Sequence, residues 1–295
     1  MELMTNPGDR LGRRNALYEK AELWKPPVFV RGSSPVHKLR AWARRFVDLQ
    51  AGSIYRDLAV LLPARSGSLV DVGCGAQPYR ELTGSGVKYV GIDTSDAKAN
   101  FGYEIPDTIY YSGDTWPIDT ESADTVLCTE TLEHVLEPDA FLREAARCLR
   151  PGGLLIITVP FAARWHYIPH DYYRYTPSGI AHLLYRAGLQ DVGVYPRGNP
   201  VTVACYKVIA LQLLLFFPQD GLLPIKVLRW LLGVLALPII VGLAAIANIS
   251  LSWGGDDCIG YTVTASKPPD RQTSRQTTND TGSERLTSAL VRGST

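Results

Sequence analysis

The central part of the chain alternates short, apolar, β-branched runs with stretches of helical periodicity. The strand pattern recurs in seven runs, at 68–72, 87–93, 108–112, 123–128, 153–159, 191–196 and 258–266. Helical periodicity is clearest at 138–149 and 177–187. Strands that alternate with helices predict a parallel sheet with helices on both faces, so the expected fold class is α/β.

Two apolar stretches, 201–217 and 230–251, separate the sixth strand run from the seventh. The second contains no charged residue and, as one helix, would reach about 33 Å, enough for a bilayer core of about 30 Å. Both stretches lie between strands of one sheet, so the chain must leave the sheet and return. The pattern therefore predicts an apolar helical hairpin at 199–255, through which the protein contacts a membrane.

The hairpin allows three arrangements. Glycine and proline interrupt the second stretch, and the predicted tip carries Lys226 and Arg229. Sending basic groups across a bilayer runs against the positive-inside tendency, so we favour a hairpin that dips in from one face over two full crossings. The third arrangement is an apolar cap or dimer interface outside the membrane.

A helix is predicted at 36–62, where apolar residues recur at helical spacing and four arginines lie between them. Its basic face is either a solvated surface or a contact with an anionic membrane. The polar segments at the ends are expected to be a flexible arm at 1–35 and a disordered tail at 268–295. The remaining segments, 36–198 and 256–267, form the predicted α/β domain.

Charge and cysteine content exclude several classes of protein. The chain has 295 residues, with 30 Lys and Arg against 29 Asp and Glu, a net charge of +1. This balance excludes a uniformly basic nucleic-acid-binding protein. The five cysteines include no CxxC pair, which indicates reduced thiols in a cytosolic protein rather than a disulfide framework or a zinc site.

A glycine turn follows the first strand, at Gly73 and Gly75. Glycines between a strand and a helix let a ligand approach the backbone closely, and free N–H groups there favour an anionic group. A dinucleotide fingerprint requires a third glycine, but Pro78 stands in its place. Asp93 ends the second strand, where a carboxylate can accept hydrogen bonds from ribose hydroxyls. After the third strand, Asp114 can accept from an exocyclic amine, and Trp116 is expected to cover a base.

Five motifs follow one another along the chain: DVGCG, YVGID, SGDTWPI, SADTVLCTETLEHV and CLRPGGLLIITVP. In order and spacing they resemble the class I S-adenosylmethionine-dependent methyltransferases, in particular the ubiquinone-biosynthesis-like and small-molecule subgroup. The resemblance covers about 66–197 and resumes at 258–266. It implies a Rossmann-like doubly wound sheet of seven strands, six parallel and one antiparallel, here with the apolar hairpin inserted before the last strand.

The resemblance also implies S-adenosyl-L-methionine (SAM) as cofactor and assigns roles to matched positions. The methionine end of the cofactor would lie against Asp71, Gly73 and Gly75. Asp93 and Thr94 would hold the ribose, and Asp114 and Thr115 would meet the adenine. Thr129 and Glu130 would lie beneath the cofactor. His134, which follows the fourth strand, would lie near the transferred methyl group and is a candidate base.

A second cluster of aromatic and basic residues occupies 165–176, after the fifth strand. It suits recognition of the methyl acceptor, because aromatic faces bind rings or cations and an arginine binds an anionic group. The alternative is a structural loop packed by its tyrosines. The candidate substrate-binding residues are Tyr172, Tyr173, Arg174 and Tyr175, and further candidate bases are His166 and His170. No metal site is expected, because two histidines and Asp171 by spacing alone specify no coordination geometry.

The function that these patterns favour is SAM-dependent methyl transfer to a small or lipid-linked acceptor, preferably to oxygen, at the cytoplasmic face of a membrane. Two alternatives remain open: a membrane-tethered SAM-binding module without catalysis, and a nucleotide-cofactor oxidoreductase of doubly wound fold.

Overall fold

The structure is a computed structural model and describes residues 34–97, 104–216 and 223–270. Seven strands build one sheet: β1 (Gly67–Val72), β2 (Val87–Thr94), β3 (Thr108–Tyr111), β4 (Ala123–Thr129), β5 (Leu149–Pro160), β6 (Gln190–Arg197) and β7 (Gly260–Ser266). Their order across the sheet is β3-β2-β1-β4-β5-β7-β6. Only β7 runs antiparallel to its neighbours. The predicted α/β class and the Rossmann-like, doubly wound sheet with six parallel strands and one antiparallel strand are confirmed.

Alternation of side chains along the strands gives the sheet two apolar faces. In β1, Leu69 points to one face, whereas Val70 and Val72 point to the other, and all three are buried. Two helices, α3 (Pro138–Cys148) and α4 (Pro177–Arg186), cover the face of Val70. Each fully buried Leu or Ile contributes roughly 1.5–3 kcal/mol, so this burial holds the layers together.

The predicted helix at 36–62 is two helices, α1 (Pro35–Val47) and α2 (Leu49–Leu61). The break falls at Asp48, whose backbone is extended, with φ -81° and ψ 90°. Its N–H donates to the carbonyl of Arg44, which closes α1, and its carboxylate accepts from the N–H of Ala51, which caps α2. The turn lets α2 cover the Leu69 face of the sheet while α1 extends beyond it.

The apolar insertion folds into three helices, α5 (Pro200–Phe216), α6 (Leu223–Leu235) and α7 (Leu237–Ser250). The prediction of a single helix over 230–251 was wrong. The chain breaks at Ala236, two residues before Pro238, and the flanking segments are bent by 47°. Within the described ranges, no one helix combines the length and apolar character needed to cross a membrane, although the bent pair does so jointly.

The insertion is attached to the sheet by a buried polar network. Asn199 follows β6, and its side-chain oxygen caps α5 by accepting from the N–H groups of Val201 and Thr202. Its amide nitrogen donates to the carbonyl of Ser250 at the end of α7, 2.8 Å away. The hydroxyls of Thr202 and Ser250 lie 2.7 Å apart. The two ends of the insertion are therefore held together beside the carboxyl end of β6.

The predicted terminal segments lie mostly beyond the part of the chain that the structure describes. The arm at 1–35 and the tail at 268–295 fall mostly outside the described residues. The domain boundaries at 198 and 256 therefore stay predictions.

Replacing Asn199 with alanine is expected to lower the free energy of unfolding by about 1–2 kcal/mol, because it removes a helix cap and leaves the carbonyl of Ser250 without its donor. Urea denaturation followed by circular dichroism measures this change. The control is Val60→Ala on α2, where the side chain is exposed and a change within about 0.5 kcal/mol is expected. Equal stability of the two variants would contradict the anchoring role of Asn199.

Candidate active site

The glycine turn lies at the carboxyl end of β1, where the ends of the parallel strands meet. Gly73 and Gly75 have φ of 66° and 50°, in the left-handed region. A Cβ on Gly73 would come within 2.5 Å of the Thr131 side chain. Glycine is therefore required at this position by both backbone conformation and space, and the turn stays open to a ligand.

Asp93 stands at the end of β2 and organises this turn. One carboxylate oxygen accepts from the N–H of Gly75 at 2.9 Å, and the other accepts from the N–H of Thr94 at 2.8 Å. Burial raises the pKa of Asp93, although both hydrogen bonds oppose the shift. Each oxygen keeps a further lone pair, so the carboxylate can still accept from a pair of hydroxyls.

Asp71 is almost fully buried in β1, just before the turn. The hydroxyl of Tyr89 donates to Oδ2 at 2.5 Å, whereas Oδ1 has no hydrogen-bond partner among the described residues. Burial raises the pKa of Asp71 to about 7, Tyr89 opposes this shift, and the negative charge of Asp93 adds to it. An unpartnered acceptor beside the glycine turn fits a cationic ligand group such as an ammonium.

The loop after β3 differs from expectation at one residue. Asp114 and Thr115 are exposed, as a ligand contact requires. Trp116, expected to cover a base, is instead only 3% exposed and packs edge-on against Phe141 at 5.0 Å. Its backbone N–H donates to Glu144. The prediction for Trp116 was wrong, because burial of its indole in the core outweighs exposure at the loop.

Thr129 and Glu130 follow β4 at the same edge of the sheet. Glu130 has φ of 47°, and its carboxylate pairs with Arg197 at 2.7 Å. Arg197 is almost fully buried and also donates to Ser53 on α2 at 3.0 Å and to the carbonyl of Val159 at 3.0 Å. Arg197 was not identified from the sequence, although an arginine at the end of a strand could have indicated a charged contact at this edge of the sheet.

Glu133 is fully buried and lies beside the partly exposed His134. Neither oxygen of Glu133 has a hydrogen-bond partner in the described residues, and burial, aided by Glu130, raises its pKa. Burial lowers the pKa of His134 to about 4. Its Nδ1 lies 2.8 Å from the carbonyl of His170 and must carry the proton, because a carbonyl only accepts. Nε2 is left as an acceptor, 3.5 Å from Glu133.

His166 lies beside the ion pair of Asp171 and Arg174. Its Nδ1 lies 3.1 Å from the buried carboxylate of Asp171, which Arg174 holds through two contacts of 2.6 and 2.7 Å. Burial alone would raise the pKa of Asp171, but the hydrogen bonds from Arg174 and His166 outweigh it and hold that pKa well below its usual range. The carboxylate therefore stays charged and orients the imidazole.

Two histidines and one carboxyl approach each other closely at this site. Donor atoms of Glu133, His134 and His166 all lie within 4.8 Å of one another. Carboxylate and imidazole donors suit a divalent metal ion. The structure thus groups Glu133 with His134 and His166, while Asp171 contacts His166 and Arg174. The expectation that the site holds no metal stays a prediction.

The four residues predicted to bind the acceptor occupy different environments. Tyr172 is 40% exposed, and His170 lies beside it with Nδ1 3.1 Å from its hydroxyl. The hydroxyl of Tyr173 donates to a backbone carbonyl at 3.0 Å. Tyr175 is only 6% exposed and donates to the carbonyl of Leu132, and Arg174 is engaged by Asp171. Of the four, Tyr172 has the environment of an acceptor contact, whereas Tyr175 and Arg174 make contacts within the protein.

The chain is similar to proteins of a known family. A family model for a methyltransferase domain matches residues 41–194. The chain belongs to this family. It is a class I SAM-dependent methyltransferase, and its cofactor is S-adenosyl-L-methionine. The resemblance inferred from the motifs is confirmed.

Curated relatives of the methyltransferase include two bacterial proteins named ubiquinone biosynthesis O-methyltransferase. The protein of Ruegeria pomeroyi is 29% identical over 204 residues, with 58% of this chain and 79% of the relative covered. That of Cereibacter sphaeroides is 30% identical over 201 residues, with the same coverage. A solved structure, a possible histamine N-methyltransferase of Thermotoga maritima, superposes with a TM-score of 0.47 at 16% identity, with 79% of this chain and 96% of that chain covered.

The residues at the strand ends fit the cofactor. The left-handed glycines leave room at the backbone, the unpartnered oxygen of Asp71 is an acceptor for an ammonium, and Asp93 retains acceptor capacity for a diol. The cofactor supplies a methyl group that its sulfonium already activates. The cofactor contacts of these four residues, like those assigned to Thr94, Asp114, Thr115, Thr129 and Glu130, stay predictions.

Replacing Asp93 with alanine is expected to weaken SAM binding by about tenfold or more, because a hydrogen bond to a charged group contributes about 1.5–3 kcal/mol. Isothermal titration with SAM measures the dissociation constant. The matched control is Asp96→Ala, an exposed carboxylate three residues further on, for which unchanged affinity is expected. Full affinity of the Asp93 variant would remove this residue from the cofactor site.

Proposed function

We propose that the methyltransferase transfers the methyl group to a hydroxyl oxygen of a small or lipid-linked acceptor at the cytoplasmic face of a membrane. The observation that carries the choice of oxygen is the contact between His166 and Asp171. A hydroxyl must lose its proton during methylation, so it needs a base, whereas an amine lone pair does not. The names of the two curated relatives support the same choice.

Among the three candidate histidines, His166 has the arrangement expected of a base. Asp171 holds Nδ1, which leaves Nε2 as the lone-pair nitrogen and stabilises the imidazolium that forms. His134 already has a pKa of about 4 because of burial, and its Nε2 is directed to Glu133. His170 is exposed and contacts Tyr172.

The proposed chemistry assigns separate roles to the residues of the site. The acceptor hydroxyl gives its proton to Nε2 of His166, and Asp171 stays ionised because Arg174 is bound to it. The rings of His134 and Tyr167, 5.2 Å apart, and the exposed Tyr172 provide aromatic edges against which an acceptor ring can pack. The chain's remaining task is to hold the acceptor oxygen in line at near-attack distance.

The membrane part of the proposal is supported by where the apolar insertion begins. α5 starts three residues after Arg197, which is paired with Glu130 at the active-site edge of the sheet. Lys207 on α5 donates to the carbonyl of Ala162, in the loop that leads to His166. The insertion is thus next to the acceptor side of the site, as a lipid-linked acceptor requires.

Replacing His166 with asparagine is expected to lower kcat for a hydroxyl acceptor by about 10²–10⁴, the usual contribution of a general base, and to leave SAM affinity unchanged. The assay follows conversion of labelled SAM, with mass detection of the product from a catechol that carries a prenyl chain. The matched control is His182→Asn, an exposed histidine on α4.

The outcome of this assay also tests the alternatives. Methylation at nitrogen or carbon in place of oxygen would contradict the proposal, as would full activity of the His166 variant. Loss of activity on chelation, restored by a divalent metal, would assign the donors of Glu133, His134 and His166 to a metal instead of to proton transfer.

The pH dependence separates His134 from His166. Because burial lowers the pKa of His134 to about 4, this imidazole is neutral throughout the range above pH 5 and its protonation cannot limit turnover there. His134→Gln is therefore expected to leave the acid limb of log kcat against pH in place above pH 5, whatever its effect on the maximal rate. Disappearance of that limb in the His134 variant would make His134 the titrating base.

A further inference from the structure

The first helix, α1, presents its apolar side to solvent. Ala41 is the buried residue of the helix, whereas Val36, Leu39 and Trp42, on the opposite side, are each more than half exposed. In an ordinary surface helix the apolar stripe faces the core, whereas in α1 the apolar stripe faces solvent. Trp42 stacks on Phe46 at 5.8 Å, which holds its indole along this outer stripe.

Helix α6 and the first turns of α7 are apolar on nearly every side and still exposed. Within α6 only Gly233 is buried. Exposed apolar residues of the two helices include Leu223, Ile225, Val227, Leu228, Trp230, Leu231, Leu232, Leu235, Leu237, Ile239 and Val241. A helix that is apolar all round is normally covered by protein or by lipid, and a continuous exposed patch of this size marks an interaction surface.

The charges on these three helices are of one sign. Helices α1, α6 and α7 contain no aspartate or glutamate. Lys38 and Arg40 are exposed on α1, beside its outer stripe, and α6 carries Lys226 and Arg229. Helices with apolar faces, exposed tryptophans and only basic charges are complementary to an anionic lipid layer.

Polar contacts connect the last turn of α7 to α1 and α2. Asn248 on α7 donates to the carbonyl of Phe46 at the end of α1, 2.9 Å away, and Arg56 on α2 binds Asn248. Beyond α7, Trp253 is exposed, the position of an aromatic residue at the boundary between lipid and water. Because the pair α6 and α7 is bent by 47°, it lies more readily within one leaflet than across two.

We propose that α1, α6 and α7 form a docking surface for one leaflet of an anionic bilayer, on which the enzyme rests without crossing it. Side chains of α6 and of the start of α7 enter the acyl layer, and Lys38 and Arg40 meet the lipid phosphates. This inference rests on the proposed function and specifies its membrane partner, since the same insertion is rooted beside Glu130 and Arg197.

The test is flotation of the full-length protein with vesicles of phosphatidylcholine and phosphatidylglycerol, against vesicles of phosphatidylcholine alone. We expect tighter binding to the anionic vesicles that weakens with salt. Lys38→Glu with Arg40→Glu is expected to weaken anionic binding by about tenfold or more, since each basic residue contributes about 1 kcal/mol. The matched control, Lys88→Glu with Arg143→Glu, reverses two exposed charges on other elements and is expected to bind as wild type.

A second variant tests the apolar part. Trp230→Glu with Leu231→Glu is expected to abolish binding to both kinds of vesicle, while the thermal unfolding curve stays cooperative because both side chains are exposed. Wild-type binding by this variant would overturn the proposal. The α1 variant does not alter the apolar insertion, so its result stands even if the α6 variant fails to fold.

Two other occupants give distinct results, and either would overturn the proposal. A second copy of the chain would appear as a dimer that does not bind vesicles and dissociates in the α6 variant. Coverage by residues 1–33 would appear as vesicle binding only after their removal. Methylation of a water-soluble catechol is measured on the same samples: retained methylation without vesicle binding rejects the docking surface alone, and vesicle binding without methylation of any hydroxyl rejects the proposed function alone.

Discussion

The ion pair between Glu130 and Arg197 connects the parts of this molecule on which the site depends. A buried guanidinium is costly unless its donors are satisfied. Both terminal nitrogens of Arg197 donate, to Glu130, to Ser53 on α2 and to the carbonyl of Val159 on β5, whereas Nε has no partner among the described residues. Removal of one partner from a buried ion pair costs about 3–5 kcal/mol, because the other charge stays buried. The pair joins the loop after β4 to the end of β6, and α5 starts three residues later. The position of the apolar insertion is therefore tied to the loop after β4, at the carboxyl edge of the sheet.

Buried carboxyl groups at the same edge of the sheet divide into two kinds by their partners. Asp71 and Glu133 each have an oxygen without a hydrogen bond in the described part of the chain, and burial raises the pKa of both. Asp171 is bound by Arg174 and His166, and its pKa is lowered. Groups whose pKa values are moved apart in this way can remain neutral and charged side by side. One sheet edge thus holds carboxyl groups of both kinds.

Local sequence predicted the parts of the site that depend on a single strand and the turn after it. The glycine turn and Asp93 were predicted because their roles follow from strand ends that meet at one edge. Trp116 was misplaced, because a loop tryptophan is exposed or buried according to what packs beside it, here Phe141 from α3. Arg174 was assigned to an acceptor, whereas its partner is Asp171, three residues earlier. Such pairings depend on side-chain packing, which periodicity does not report.

The sequence by itself determined the sheet, because seven short apolar runs, most of them alternating with helical stretches, and a glycine turn allow few other folds. It also determined that an uncharged insertion precedes the last strand. Only the tertiary structure decided that this insertion bends at Ala236, that Asn199 ties its two ends together, and that α1 turns its apolar stripe outward. The physical reason is that each of these features depends on contacts between residues distant in the chain. Periodicity identifies which face of a helix is apolar, but packing decides what that face meets.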